Sequence, residues 1–186
     1  ARNLRGPIHR TVMRFVVTGE WTRNRLLKAI VACFLAYTAI LWITNVGLYF
    51  SKMSLYPSSV VDYFRGNEER FLEPRSWIGL LEQLHFHSFA MGILLLTLTH
   101  LLLFVPVTMR VKAFGICGAF AFGILGELSG WAVRYLHPVF AYLKIASFLC
   151  LQGVILWLMI VVARALWLSS PSAYSGGEGG PPPRIP

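Results

Sequence analysis

The chain has 186 residues, a hydrophobic content of 56% and a formal net charge of +9, and its mean hydropathy is +0.61. Those values exclude an ordinary soluble domain. Several apolar runs reach the roughly 20 residues that cross a bilayer, so the chain reads as an integral membrane protein. Its cations sit beside apolar runs rather than on a separate soluble module, which points to anionic lipids as their partner and argues against nucleic acid.

Residues 1–25 carry Arg2, Arg5, Arg10, Arg14, Arg23 and Arg25. Ile8, Val12, Phe15 and Val16 recur at the spacing of one helical face, with Pro7 at a first helical position and Gly19 at a stop. That pattern predicts an amphipathic helix on the membrane surface, with His9 on its solvated side. No h-region lies near the start, so no cleavable signal peptide is expected and the first long apolar run acts as the anchor.

Four spans follow, at about 26–50, 84–107, 113–133 and 138–166 by apolar run length. The expected fold class is all-α: an integral membrane four-helix bundle with an N-terminal amphipathic surface helix. The bundle occupies 26–168, and its long outer connection occupies 51–83. Pro74 and then Ser76 read as a stop and an N-cap, so a helix is expected to start near Trp77. The Gly/Pro-rich tail 169–186 has the composition of a disordered segment unless something holds it, which points to other subunits of a larger membrane complex as partners.

The Arg-rich segment before the first span, Arg110 and Lys112 in the 108–112 link, and Arg164 mark one side as cytoplasmic by the positive-inside rule. Both termini are then cytoplasmic, in a bacterial inner membrane. The outer connection, which holds five of the eight acids, and the 134–137 turn face the periplasm. Trp21, Tyr49, Trp77, Trp131, Tyr135 and Trp167 fall near the expected interfaces as an aromatic belt. Cys33, Cys117 and Cys150 lie in apolar runs with no paired spacing and read as buried free thiols.

Ionisable residues inside spans are costly and mark function by default. On the second span, Glu82 and His100 share a direction at about 100° per residue, and His85 lies about 60° from both. His87 points elsewhere. The face that also carries Ser88, Gly92 and Thr99 is expected to point inward. On the fourth span His137, Lys144 and Gln152 fall on one side.

His85 and His100 are fifteen positions apart, as are His137 and Gln152. Those matching rows on two spans resemble the haem-bearing helix pairs of membrane b-type cytochromes. The resemblance implies one haem b near the periplasmic side, with His85 and His137 as axial ligands to the haem iron, because Gln152 stands where a second inner ligand would be needed. His87 is an alternate ligand, and Arg134 suits a haem propionate or a lipid headgroup. His100 reads as a core histidine hydrogen-bonded to Gln152, or else as a further cofactor-binding residue. The run Tyr63-Phe64-Arg65-Gly66 through Pro74 to His85-Phe86-His87 and His100 also resembles a poorly characterised group of bacterial four-helix membrane proteins, a likeness that implies topology and no reaction.

Glu127 and Lys144 are expected to meet at one depth. Two readings stand: a buried ion pair that fixes a helical hairpin, or a catalytic carboxylate that exchanges protons beside a quinone. Glu82-x-x-His85, with Glu127 and His137, also has the spacing of half a di-iron site. The chain has no phosphate loop, nucleophile elbow or catalytic triad. The function expected is that of an integral subunit of an electron-transfer complex of a respiratory chain, passing electrons between quinone and a periplasmic cytochrome or other redox partner. The alternative is a cofactor-free structural subunit.

Overall fold

The computed structural model describes residues 25–168. The amphipathic helix expected at 1–25 and the tail at 169–186 lie outside the described residues. In chain order the helices are α1 (Arg25–Lys52), the short α2 (Pro57–Arg65), α3 (Trp77–Leu103), α4 (Met109–Trp131) and α5 (Phe140–Leu168). All but α2 are long and apolar enough to cross a membrane. The architecture is the all-α integral membrane four-helix bundle that the run lengths predict.

Each helix begins and ends for a local reason. Ser76 caps α3 as expected, its Oγ accepting the Gly79 N–H at 3.1 Å. Pro57 sits in the first turn of α2, where its missing N–H costs nothing. α4 ends in a wide π turn over Ala132–Leu136, closed by the His137 N–H on the Ala132 carbonyl at 3.0 Å.

α5 is the hub, packing against α1, α3 and α4. Its buried residues run from Ala141 to Leu166. Two apolar clusters hold the bundle. One, around Leu35, Leu98, Leu102, Leu158 and Val162, fills the half away from the 53–76 connection. The other, around Tyr49, Val60, Phe64, Leu80 and Val133, lies on the connection side.

The connection is an ordered cap. α2 turns Val60 and Phe64, one helical turn apart, into the bundle. Phe64 is 1% exposed and packs on α4 at Gly130, where a Cβ would come within 2.9 Å of its ring. The chain then reverses at Gly66, whose φ of +83° and whose approach to the Leu72 carbonyl admit no side chain. Arg65 donates from Nε to the Val133 carbonyl at 2.7 Å and from Nη2 to that of Leu136 at 3.3 Å. It thereby occupies carbonyls that the end of a helix leaves without partners. Arg75 bonds the Tyr63 hydroxyl and lies over that ring at 4.3 Å.

Two expectations change here. Cys33, Cys117 and Cys150 are free but lie on the outside of the helices rather than in the core. Tyr49 is not a belt residue: it is 6% exposed and stacks on Phe148 with centroids 3.8 Å apart. Trp77, Trp131 and Tyr135 do gather at the connection-side end, with Trp77 edge-on to Trp131 at 4.5 Å.

Candidate functional site

A cavity of about 450 Å³ opens between the helices on the connection side of the main core, within the size range of small-molecule sites. α2 closes one end with Tyr63 and Phe64. α1 supplies Asn45, Leu48 and Tyr49, with Met53 just beyond its end, while α3 supplies Gln83, Leu84, His87, Ser88 and Met91. Phe120 and Glu127 come from α4, and Lys144, Phe148, Leu151 and Gln152 from α5.

His87 is on this wall because of the rotation of α3. Leu80, Leu95, Leu98 and Leu102 are the buried leucines of that helix, and with Leu84, His87 and Met91 they form one stripe at spacings of three and four. Glu82 and His100 lie about 160° from Leu98, and His85 about 140°. The structure accordingly places Glu82, His85 and His100 on the outside of the bundle. The inward face expected for them is corrected. Bilayer and core are both apolar, so a helix surrounded by them gains little from turning its polar residues inward, and its leucine stripe sets the rotation.

The polar chemistry of the cavity centres on His87 and Glu127. The imidazole Nδ1 lies 2.9 Å from the carboxylate Oε1, with the histidine half-exposed into the cavity. By helical rise, Glu127 is about 6 Å deeper than Trp131, and His87 about 15 Å deeper than Trp77. The pair thus lies inside the apolar zone. A carboxylate there needs a hydrogen-bond donor or a proton of its own.

Lys144 does not make the expected ion pair with Glu127. Its Nζ donates to the Gly126 carbonyl at 2.6 Å, an oxygen that also accepts from Ser129 Oγ at 2.9 Å. The ammonium lies 5.8 Å from the centre of the Phe64 ring. Gly126 faces α5 at Ser147, whose Cβ would lie 3.9 Å from a Cβ at 126. The hairpin is fastened through that carbonyl, which leaves Glu127 to His87.

Gln152 is 6% exposed, lines the cavity, and has neither its side-chain oxygen nor its nitrogen hydrogen-bonded within the described protein. Leaving such a group unpaired costs roughly 1–3 kcal/mol. The expected bond from His100 is not made, since His100 faces outward beside Phe104. The Gln152 backbone is fixed by Trp42, whose indole N–H donates to its carbonyl at 3.1 Å.

The remaining expected residues lie elsewhere. His85 is outside the bundle and His137 caps the break before α5, its Nδ1 accepting the Val139 N–H at 3.2 Å. Neither lines the cavity, so a haem between them gains no support from their placement. A bis-imidazole haem does not fit the cavity either, whose wall carries one histidine. Among the described residues no three His, Cys, Asp or Glu gather as a metal site, which corrects the di-iron reading of Glu82, His85, Glu127 and His137. Arg134 donates to the Arg75 carbonyl at 3.0 Å and so ties the cap to α4.

His87 entered the sequence reading only as an alternate ligand. The signal that finds it is the leucine stripe, in which position 87 is an inward site occupied by a histidine.

Among curated proteins and among solved structures, none matches the chain. A family model described as a transmembrane helical domain (Aq_1264_TM) matches residues 54–173, from the cap through α5. The chain belongs to that family of transmembrane helical domains.

Proposed function

We propose that the cavity binds the head group of a lipid-soluble quinone or quinol and that His87 and Glu127 exchange its proton. The observation that carries this reading is a hydrogen-bonded imidazole and carboxylate on the wall of an otherwise largely apolar intramembrane cavity. A neutral, flat, apolar ring bearing hydroxyl or carbonyl oxygens suits such a wall. When quinol becomes quinone, two O–H bonds break, and two protons and two electrons leave. Glu127 accepts one proton and the imidazole of His87 the other, and each passes its proton on before the next turnover. The electrons pass to a one-electron carrier supplied by a partner subunit. We assign the chain to the quinone-handling part of a membrane electron-transfer assembly.

The charge distribution supports an orientation. Arg25, Lys28, Arg110, Lys112 and Arg164 lie on the side away from the cap and Lys52, Arg65, Arg70, Arg75 and Arg134 on the cap side, so the excess comes from Arg2, Arg5, Arg10, Arg14 and Arg23 in the sequence that leads into α1. By the positive-inside rule the cap faces out of the cytoplasm and the protons are released on that side.

Binding of a one-isoprene ubiquinone to the full chain in lipid nanodiscs tests the reading. His87→Phe keeps a flat ring and removes the ring nitrogens, and it weakens binding about tenfold, the equivalent of one hydrogen bond. Equal affinity in wild type and variant, or no saturable binding to wild type, contradicts the proposal.

A further inference from the structure

We infer that the side-chain amide of Gln152 is the second anchor of this site. It hydrogen-bonds the ring oxygen opposite the one held at His87 and Glu127, so the site selects rings with oxygens in para positions. The inference rests on the quinone reading above and adds the far contact and the shape of the ligand.

Three observations carry it. Gln152 is a cavity residue more than nine-tenths buried, yet its amide has no hydrogen-bond partner among the described residues. Buried amides are otherwise almost always satisfied, so a partner from outside the chain is expected. Its backbone is fixed by the Trp42 indole, so the amide is presented from a fixed point on α5.

The third observation is spacing. Lys144 and Gln152 are both cavity residues of α5, eight positions or about 12 Å apart along the axis. Lys144 reaches Gly126, the neighbour of Glu127, so the backbone of Gln152 lies on the order of 12 Å below that of Glu127. Side chains lean toward the N-terminus of their helix. α5 starts on the cap side and α4 on the other, so the two side chains lean toward each other across the cavity. The para oxygens of a benzoquinone are about 5 Å apart, and a hydrogen bond of roughly 3 Å at each end brings the span to about 11 Å. A ring with a single oxygen spans only one end.

Infrared spectra of bound one-isoprene ubiquinone, labelled with ¹³C at one ring carbonyl or the other, read each contact separately. In wild-type protein in nanodiscs both carbonyl bands move to lower frequency than in lipid alone. In Gln152→Met one band returns to its lipid position while the other stays, and affinity falls about tenfold. In Gln152→Asn, which keeps the amide on a shorter stem, that band moves part of the way back. A single shifted band in wild type, or two shifted bands in Gln152→Met, overturns the second anchor and leaves the quinone site standing. Either result in wild type is informative even if a variant fails to fold. No bound quinone in wild type overturns both.

Discussion

Changing Glu127 to Gln slows quinol turnover about 100-fold in native membranes, while the amount of chain in the membrane stays the same. The size follows from loss of a positioned proton acceptor, which typically contributes 10²–10⁴-fold. Retention of the chain follows from geometry. Lys144 donates to the Gly126 carbonyl and not to the Glu127 carboxylate, so the neutral amide breaks no hydrogen bond of the ammonium. The Gln side chain still reaches His87, which accepts or donates a hydrogen bond according to its tautomer. Turnover measured per copy of the chain, with the chain quantified by immunoblot, checks this. Unchanged turnover contradicts the proton role, and loss of the chain from the membrane makes the contact between His87 and Glu127 a structural one.

The largest effect on stability is expected at Phe64. Truncation to Ala removes a ring that is 1% exposed, that closes the cavity between α2 and Gly130, and that faces the ammonium of Lys144. A buried Phe→Ala change costs about 3–5 kcal/mol, which in a protein of this size lowers the unfolding midpoint by on the order of 10 °C. Opening the cap also admits water to the cavity, so ubiquinone affinity falls with stability. Thermal unfolding followed by circular dichroism in nanodiscs gives the midpoint. An unchanged midpoint would show that α2 does not seal the bundle.

The number and order of the spans are written in the lengths of the apolar runs, and the start of α3 is written in Ser76. The facing of α3 is not. In a soluble helix the polar side marks water. Here the surroundings are apolar on every side, so Glu82, His85 and His100 could not be assigned inward from polarity. Leu80, Leu95, Leu98 and Leu102 decide the rotation, and a reader of the sequence has to weigh that stripe above the histidines. α2 was legible and missed: Pro57 at a helix start with Val60 and Phe64 one turn apart is a short amphipathic helix. The common depth of Glu127 and Lys144 was legible, but the acceptor of the ammonium was not, because a glycine carbonyl leaves no mark in the side-chain pattern.

The most direct test of the quinone site is photoaffinity labelling of the full chain in nanodiscs with a short-tailed azido-ubiquinone, mapped by peptide mass spectrometry. The cavity is bordered by Met91, Phe120 and Leu151, whereas Phe89 and Phe114 face away from the bundle. The account predicts labelling at the first three positions that excess unlabelled ubiquinone suppresses. Labelling confined to Phe89, Phe114 and the rest of the outward surface, or labelling that excess ubiquinone leaves unchanged, would contradict it.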